Sequence, residues 1–365
     1  MMAHALELAR QGRFSTSPNP RVGCVIAQGE QIVGQGFHVK AGEPHAEVHA
    51  LRQAGALARG ATAYVTLEPC SHHGRTPPCA EGLIAAGVAR VVAAITDPNP
   101  LVAGRGLARL QAAGIATECG LMAHEARELN RGFLSRIERN RPFVRLKCAA
   151  SLDGKTALAN GQSQWITGKA ARADVQRLRA ESCAVLTGVG TVLADNPQLT
   201  VRDFPTLRQP TRVILDSQLR TPLNSHLIQY NTAPTLIATL INDPTRLAPY
   251  TAHAHVHFIH PQATAQGQLD LADVLRLLAQ HGLGEVMVEA GAILAGAFLQ
   301  QDLVDEIVLY QSPKILGHEG RSLLHLPSRA AVLQQSPDWR TAAIDIVQDD
   351  IKWTLRRASS TFFSS

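Results

Sequence analysis

His45, Cys70 and Cys79 constrain this chain more than any other feature, because three side chains far apart in sequence must converge on one point if they share a metal ion. One imidazole and two thiolates make a mixed nitrogen and sulfur set, which suits zinc. Three protein ligands leave the fourth tetrahedral position for water. Such an open position marks a catalytic ion, whose charge lowers the pKa of bound water from about 15.7 towards about 7. The stretches "HAEVHAL" and "EPCSHHGRTPPC" predict where the ligands sit. Pro44 is consistent with a helix starting near His45, and residues two apart on a regular helix point to nearly opposite faces. Glu47 therefore reaches the same ion only if His45 stands at the helix entrance. Cys70 follows a strand pattern and Pro69, which puts it at a strand-end turn.

H-x-E followed by P-C is the signature of zinc nucleobase deaminases, in which the Glu carries protons and does not bind the metal. That role falls to Glu47. The second half departs from the usual P-C-x-x-C, since the eight residues "SHHGRTPP" separate Cys70 from Cys79. The enlarged loop suits a substrate bigger than a bare base, and His72, His73 and Arg75 within it are rival ligands or substrate contacts. The alternative is a closed structural zinc with His72 or His73 as fourth ligand. His49, one turn after His45, reads as a surface or supporting residue.

A chain of 365 residues has room for two domains. Up to about residue 120, helical and strand patterns alternate: a helix at "AHALELAR", a hairpin of "VGCVIA" and "QIVGQGF", then "AEVHALRQAG" (helix), "ATAYVTL" (strand), "AEGLIAAG" (helix), "ARVVAAI" (strand), "GRGLARLQAAG" (helix) and a strand near 115 to 119. "AHEARELNRGFLSRIERN" reads as one helix that Pro142 stops, which sets domains of residues 1–141 and 142–365. The second series runs through strands "FVRLKCAA", "CAVLTGV", "TRVILDS", "TLIATL", "EVMVEA" and "EIVLYQSPKIL". Helices "KAARADVQRLRAES", "LADVLRLLAQHG" and "ILAGAFLQQ" punctuate them. "AAIDIVQDDIKWTLRR" is a closing hairpin, and the tail from 358 to 365 is expected to fray. The fold class is α/β throughout.

No apolar run reaches the ~18 residues of a membrane span, and the first residues lack a secretory pattern, so the expected location is the cytoplasm. The formal charge of +5 comes from scattered Arg and Lys without a basic tract, which suits an anionic small substrate better than nucleic acid. Cys24, Cys148 and Cys183 sit in apolar patterns as small core residues, and Cys119 is unassigned. "HAHVHFIHP" places His253, His255 and His257 at alternate positions, so that on a strand they share an exposed face opposite Ala254, Val256 and Phe258.

"SPNPRVGCVI", "GEPHAEVHAL", "TLEPCSHHGRTPPC", "DPNPLVAGRG", "ASLDGKTA", "SQWIT", "TVLADNPQLTVR" and "VEAGAILAGA" together resemble the bifunctional riboflavin-biosynthesis deaminase/reductase family along nearly the whole chain. The resemblance implies a cytidine-deaminase-like N-terminal domain and a dihydrofolate-reductase-like C-terminal domain. It also implies two consecutive reactions. A diamino-(phosphoribosylamino)pyrimidinone is deaminated hydrolytically with zinc, and the ribosyl group of the product is then reduced to ribityl with NADPH. A homodimer through the reductase domain is implied as well. The rival reading is a zinc deaminase of another nucleoside or tRNA base with a non-catalytic nucleotide-binding second domain.

Carried over residue by residue, the resemblance gives NADPH contacts at Ala149, Trp165, Thr191, Asp195, Ser217 and the run Gly291, Ala292, Ile293, Leu294, Ala295, Gly296 and Ala297. Substrate contacts are implied at Asn19 in the deaminase half and at Ser163, Arg179, Leu199, Arg202 and Glu289 in the reductase half. Lys147 and Asp195 are candidates for proton delivery. No complete G-x-G-x-x-G is present, since "GRGLAR" and "GVGTVL" both lack the last glycine. "EAGAILAGA" reads independently as strand end, glycine turn and helix start, where backbone N–H groups can meet phosphate.

Overall fold

The computed structural model describes residues 1–71, 78–100, 102–326 and 339–358. His72, His73 and Arg75, and the tail beyond 358, lie outside the described residues. The chain forms two compact units that meet along the sequence between Asn140 and Arg141.

In the first unit the strands are β1 (Gly23–Gln28), β2 (Gln31–Phe37), β3 (Thr62–Val65), β4 (Arg90–Ala93) and β5 (Ala116–Cys119). They form one sheet in the order β2-β1-β3-β4-β5. The β1–β2 hairpin and the β1–β3 pair are antiparallel, whereas β3, β4 and β5 run parallel. Helices α1 (Met2–Gln11), α2 (Ala46–Ala54), α3 (Cys79–Ala86), α4 (Arg105–Ala112), α5 (Ala123–Leu129) and α6 (Arg131–Arg139) accompany it. Glycine sets the seat of α2. A Cβ at Gly34 would lie 2.2 Å from the Ala50 carbonyl oxygen, and one at Gly36 would lie 2.8 Å from that of Ala46. The backbone of β2 therefore touches the alanine face of α2, which fixes the helix end beside His45.

The expected single helix over 123–140 is two helices broken at Asn130, whose φ of −107° and ψ of 16° leave the helical region. Its buried amide accepts from the Arg21 N–H at 2.7 Å and donates to the Arg21 carbonyl at 2.9 Å. This tertiary pairing replaces helix continuity, as Asn side chains readily do.

The second unit has strands β6 (Phe143–Ala150), β7 (Lys155–Ala157), β8 (Ala184–Gly188), β9 (Thr211–Leu215), β10 (Thr235–Ala238), β11 (Val256–Ile259), β12 (Glu285–Val288), β13 (Glu306–Gln311), β14 (Arg321–Ser322), β15 (Trp339–Val347) and β16 (Asp350–Arg357). Its main sheet has the order β11-β10-β9-β8-β12-β6-β13-β16-β15, parallel as far as β13 and antiparallel in the β15–β16 hairpin. The helices are α7 (Lys169–Glu181), α8 (Val189–Asp195), α9 (His226–Gln229), α10 (Pro244–Thr251), α11 (Leu271–Gln280) and α12 (Ala292–Gln300). Alternate residues of the central strands feed two cores: Val286 and Val288 pack with Leu275 and Phe298, while Met287 packs with Val175 and Leu178. A parallel sheet covered on both faces explains why these strands read as unbroken apolar runs.

Two strand expectations need correction. The run "CAVLTGV" ends as a strand at Gly188, because Val189 already opens α8. The three alternating histidines do not share a strand face: β11 begins at Val256, His255 is buried just before it, and His257 is exposed. Loop geometry over 252–255 sets their directions in place of pleat alternation.

Candidate zinc centre and nicotinamide cleft

Helix starts and a strand exit build the first site. His45 is the N-cap of α2 in extended conformation, and Cys79 is the first residue of α3. Cys70 lies on the segment leaving β3. His45 Nδ1 is 3.3 Å from Cys79 Sγ and 3.7 Å from Cys70 Sγ, and all three ligand atoms lie within 4.8 Å of one another. A tetrahedral zinc with bonds of about 2.3 Å to sulfur and about 2.0 Å to nitrogen separates N from S by roughly 3.5 Å, so the trio fits that ion. Among the described residues it is the one such His/Cys/Asp/Glu group.

The Cys79 N–H donates to Cys70 Sγ at 3.3 Å. A separate bond between the two side chains, the Cys79 S–H donating to Cys70 Sγ, pulls the Cys70 thiol well down and pushes Cys79 up. Metal-free, the pair thus favours one thiolate; both helix N-termini favour negative charge at this spot. Glu47, one residue inside the helix start, is buried, and its Oε2 has no protein partner. Burial, with the Cys70 thiolate adding to it, raises its carboxyl to about 7. A buried carboxyl raised towards neutrality beside three atoms that could hold a metal, with one oxygen still to be satisfied, is what a proton carrier for an attacking water requires.

His38 belongs to this neighbourhood and carried no sequence signal. Its ring meets that of His45 edge-on at 5.4 Å. Nδ1 lies 3.1 Å from the Pro44 carbonyl, which can only accept, so Nε2 is left to accept from Asn19 Nδ2 at 3.1 Å. Burial holds the imidazole below its ordinary pKa. Asn19 is thus oriented by a neutral histidine that in turn braces the residue before His45.

The second candidate set is spread over five segments of the second unit. Ala149, Ser217 and Glu289 lie at or just beyond the carboxyl ends of β6, β9 and β12, and Thr191 follows β8 inside α8, at whose end stands exposed Asp195. Since β9, β8, β12 and β6 are neighbours, these residues share one edge of the sheet, where open α/β sheets bind ligands. Gly291 is the N-cap of α12, a helix start that no side chain caps, and a Cβ there would meet nothing within 4 Å. That opening fits a phosphate group. Ile293 is 75% exposed, whereas Ala295 and Gly296 are buried, the latter because a Cβ would lie 2.0 Å from the His325 carbonyl oxygen. Trp165 is 60% exposed with the Arg172 guanidinium 4.4 Å above its ring, and Ser163 is two residues away.

Arg179 and Glu289 form a largely buried two-pronged ion pair, Nε to Oε1 at 2.7 Å and Nη2 to Oε2 at 3.0 Å, and Arg179 Nη1 donates to the Thr200 carbonyl. Burial pushes the Glu289 carboxyl up, but the Arg179 guanidinium, helped by Lys147 and Arg202, outweighs it and holds the carboxyl at about 2. Leu199 is buried with φ of 53°, and Asn196 and Asp203 around it are also left-handed. Three non-glycine residues in that region within one loop is the strain signature that gathers at ligand sites, and single-sequence reading does not find it. Exposed Arg202 lies in the same loop.

Comparison with known proteins adds two matches and a set of full-length relatives. The description "Cytidine and deoxycytidylate deaminase zinc-binding region" matches residues 1–95, and "RibD C-terminal domain" matches residues 142–351. The chain is 52% identical to riboflavin biosynthesis protein RibD of Escherichia coli, covering 96% of each, and 46% identical to that of Haemophilus influenzae, covering 97% of this chain and 95% of the relative. The solved structure of Acinetobacter baumannii RibD superposes with a TM-score of 0.89 at 45% identity over 98% of both chains. A diaminohydroxyphosphoribosylaminopyrimidine deaminase/5-amino-6-(5-phosphoribosylamino)uracil reductase from Thermotoga maritima gives 0.85 at 34% identity, covering 98% of this chain and 97% of that one.

Proposed function

The chain belongs to the RibD family of bifunctional riboflavin-biosynthesis enzymes, a zinc deaminase joined to an NADPH-dependent reductase, and from that premise we propose how its residues divide the work. Residues 1–141 deaminate the diaminohydroxyphosphoribosylaminopyrimidine, and residues 142–365 reduce the resulting 5-amino-6-(5-phosphoribosylamino)uracil. The observation that carries the first assignment is the convergence of His45, Cys70 and Cys79 beside a buried Glu47 with one unpartnered oxygen.

His45, Cys70 and Cys79 hold the zinc ion, which when bound supplies the Lewis acidity that makes water nucleophilic at neutral pH. Glu47 accepts a proton from the attacking water through Oε2 and passes it to the ring nitrogen beside the attacked carbon, then carries the adduct's hydroxyl proton to the amino nitrogen. The C–N bond then breaks, ammonia leaves, and the water oxygen remains as the carbonyl. Asn19, set by His38, orients the pyrimidine. In the second unit NADPH supplies hydride; the start of α12 from Gly291 to Leu294 takes a phosphate, with Ala149, Trp165, Thr191, Asp195, Ser217 and the Ala295–Ala297 stretch completing the cofactor cleft. Ser163, Leu199, Arg202 and the Arg179–Glu289 pair bind the phosphoribosyl substrate, and Lys147 with Asp195 deliver the proton that accompanies reduction.

Mass spectrometry of products from the diaminopyrimidine substrate tests both assignments. Without NADPH the product is the uracil, with NADPH the ribityl compound, and chelation of zinc stops both at the start. Product formation by a fully zinc-stripped chain would refute the first assignment. The outer strand β15 leaves Ile344 53% and Ile346 82% exposed, which supports assembly as a homodimer through this unit. Sedimentation of the parent and of Ile346→Lys checks that, with a dimer expected only for the parent. Six free cysteines fit a reducing cytoplasm, and scattered charge fits a small-molecule substrate without nucleic acid.

A further inference from the structure

Glu68, two residues before Cys70 in "TLEPC", takes no part in the ligand trio, yet it is 3% exposed and fully engaged. Oε2 accepts from the N–H of Asp97 at 3.1 Å and of Gly104 at 2.9 Å; Oε1 accepts from Gly106 at 2.9 Å and Leu107 at 3.2 Å. Its own N–H donates to the Ile95 carbonyl at 2.9 Å. Gly104 is the N-cap of α4 and offers no side chain, so the carboxylate that caps α4 comes from the segment leading to Cys70. The junction is tight from the other side as well. A Cβ at Gly106 would lie 1.9 Å from the Pro69 carbonyl oxygen, so only glycine lets α4 close onto the peptide that carries Cys70.

Gly104 has φ of 76°, a left-handed backbone in which a local Ser or Asp would be strained, so the cap is supplied from a distance. What the distant carboxylate adds is a join: the segment leaving β3, which bears Cys70, is tied to Asp97 beyond the neighbouring β4 and to the start of α4 at Gly104, Gly106 and Leu107. We propose that Glu68 is a positioning residue of the deaminase site, holding Cys70 in the geometry in which its sulfur retains the metal. The proposal rests on Cys70 being a zinc ligand.

The test uses the full chain as Glu68→Gln, whose single amide oxygen can keep at most one side of the four-bond clasp. Expected are one zinc per chain, parent-like reductase turnover, zinc release to a chromogenic chelator faster by about 10-fold or more, and deaminase kcat lower by about 10–100-fold. The thiolate-to-metal absorption of the cobalt-loaded variant should shift, and amide exchange at Asp97, Gly104, Gly106 and Leu107 should accelerate. Gly106→Ala, which spares the carboxylate but drives a methyl into the Pro69 carbonyl, should show the same faster release. Zinc release and cobalt spectrum within about twofold of the parent in both variants would overturn the proposal, even with faster exchange, because the clasp would then be scaffold alone. Cys70→Ser separates the premise: zinc retained there defeats the ligand assignment itself, whereas zinc lost there with parent-like Glu68→Gln defeats only the positioning role.

Discussion

The two candidate sites of this chain are built in opposite ways. In the first unit three ligand atoms lie within 4.8 Å, supplied by segments at the starts of α2 and α3 and the exit of β3. In the second, the candidate residues are strung along the carboxyl edge of four strands and a helix start, from Ala149 to Ala297. Metal chemistry needs particular atoms, so residue type is fixed wherever the chain returns to the ion. Cofactor binding through backbone N–H and shape needs only a fold, and many side chains satisfy it. The contrast makes side-chain identity decisive in one unit and nearly free in parts of the other.

The largest expected effect is that of Glu47→Gln. Removing the proton carrier while keeping its volume should lower deamination by about 10²–10⁴-fold, with zinc retained and reductase turnover on the deaminated uracil untouched. Ammonia release, metal analysis and NADPH oxidation on one preparation measure all three. Deamination at near-parent rates would mean the buried orphan oxygen serves no reaction, and the first site would lose its claim to be read from side chains.

The reductase unit does contain one side-chain pair on which much depends. Arg179→Met leaves Glu289 buried without its partner and should destabilise the unit by about 3–5 kcal/mol, read in the melting transition that NADPH raises. In the parent, Glu289 is held at about 2, against roughly 4.3 in an unfolded chain. A depressed carboxyl contributes stability that is complete above the unfolded value and is lost as pH falls through the folded one. Roughly 3 kcal/mol should therefore disappear between about pH 4.3 and pH 2. In Arg179→Met, burial dominates and raises the carboxyl, so the slope reverses: stability falls as pH rises above about 4.3. An unchanged slope would show that Lys147 and Arg202 alone hold Glu289 ionised.

The same contrast governs what was legible in the sequence. The candidate metal-binding trio, Glu47 and most of the longer strands and helices are legible from residue type and period, because burial and coordination both act on side chains; the short elements β7, α8, α9 and α10 are not. His38 was missed because its role is to accept from Asn19 and donate to Pro44, and a histidine after a hairpin strand has no pattern that announces this. The break at Asn130 was missed because the helical period continues across it; only the partner Arg21, far away in sequence, decides the backbone there. The alternating histidines misled in the reverse direction, since period-two spacing means a shared face only where a strand exists, and β11 starts after His255. Most cofactor and substrate positions of the reductase half came from family resemblance, and no spacing rule would have selected Thr191 or Ser217.

The smallest expected effect probes the backbone side of the contrast. Gly291 has φ of −69° and open space where a Cβ would be, so alanine is accommodated without strain. If α12 meets a phosphate through its N–H groups, Gly291→Ala should change the KM for NADPH by less than about threefold, as the donors remain. Gly291→Asp should do the opposite of what stability suggests. Aspartate is a preferred N-cap, and gaining one over glycine is expected to help the helix by a few tenths of a kcal/mol. Its carboxylate would occupy the same N–H groups and repel the phosphate, so the KM for NADPH should rise while the melting temperature holds or increases. Equal KM values for alanine and aspartate at this position would place the cofactor's phosphate elsewhere along the edge.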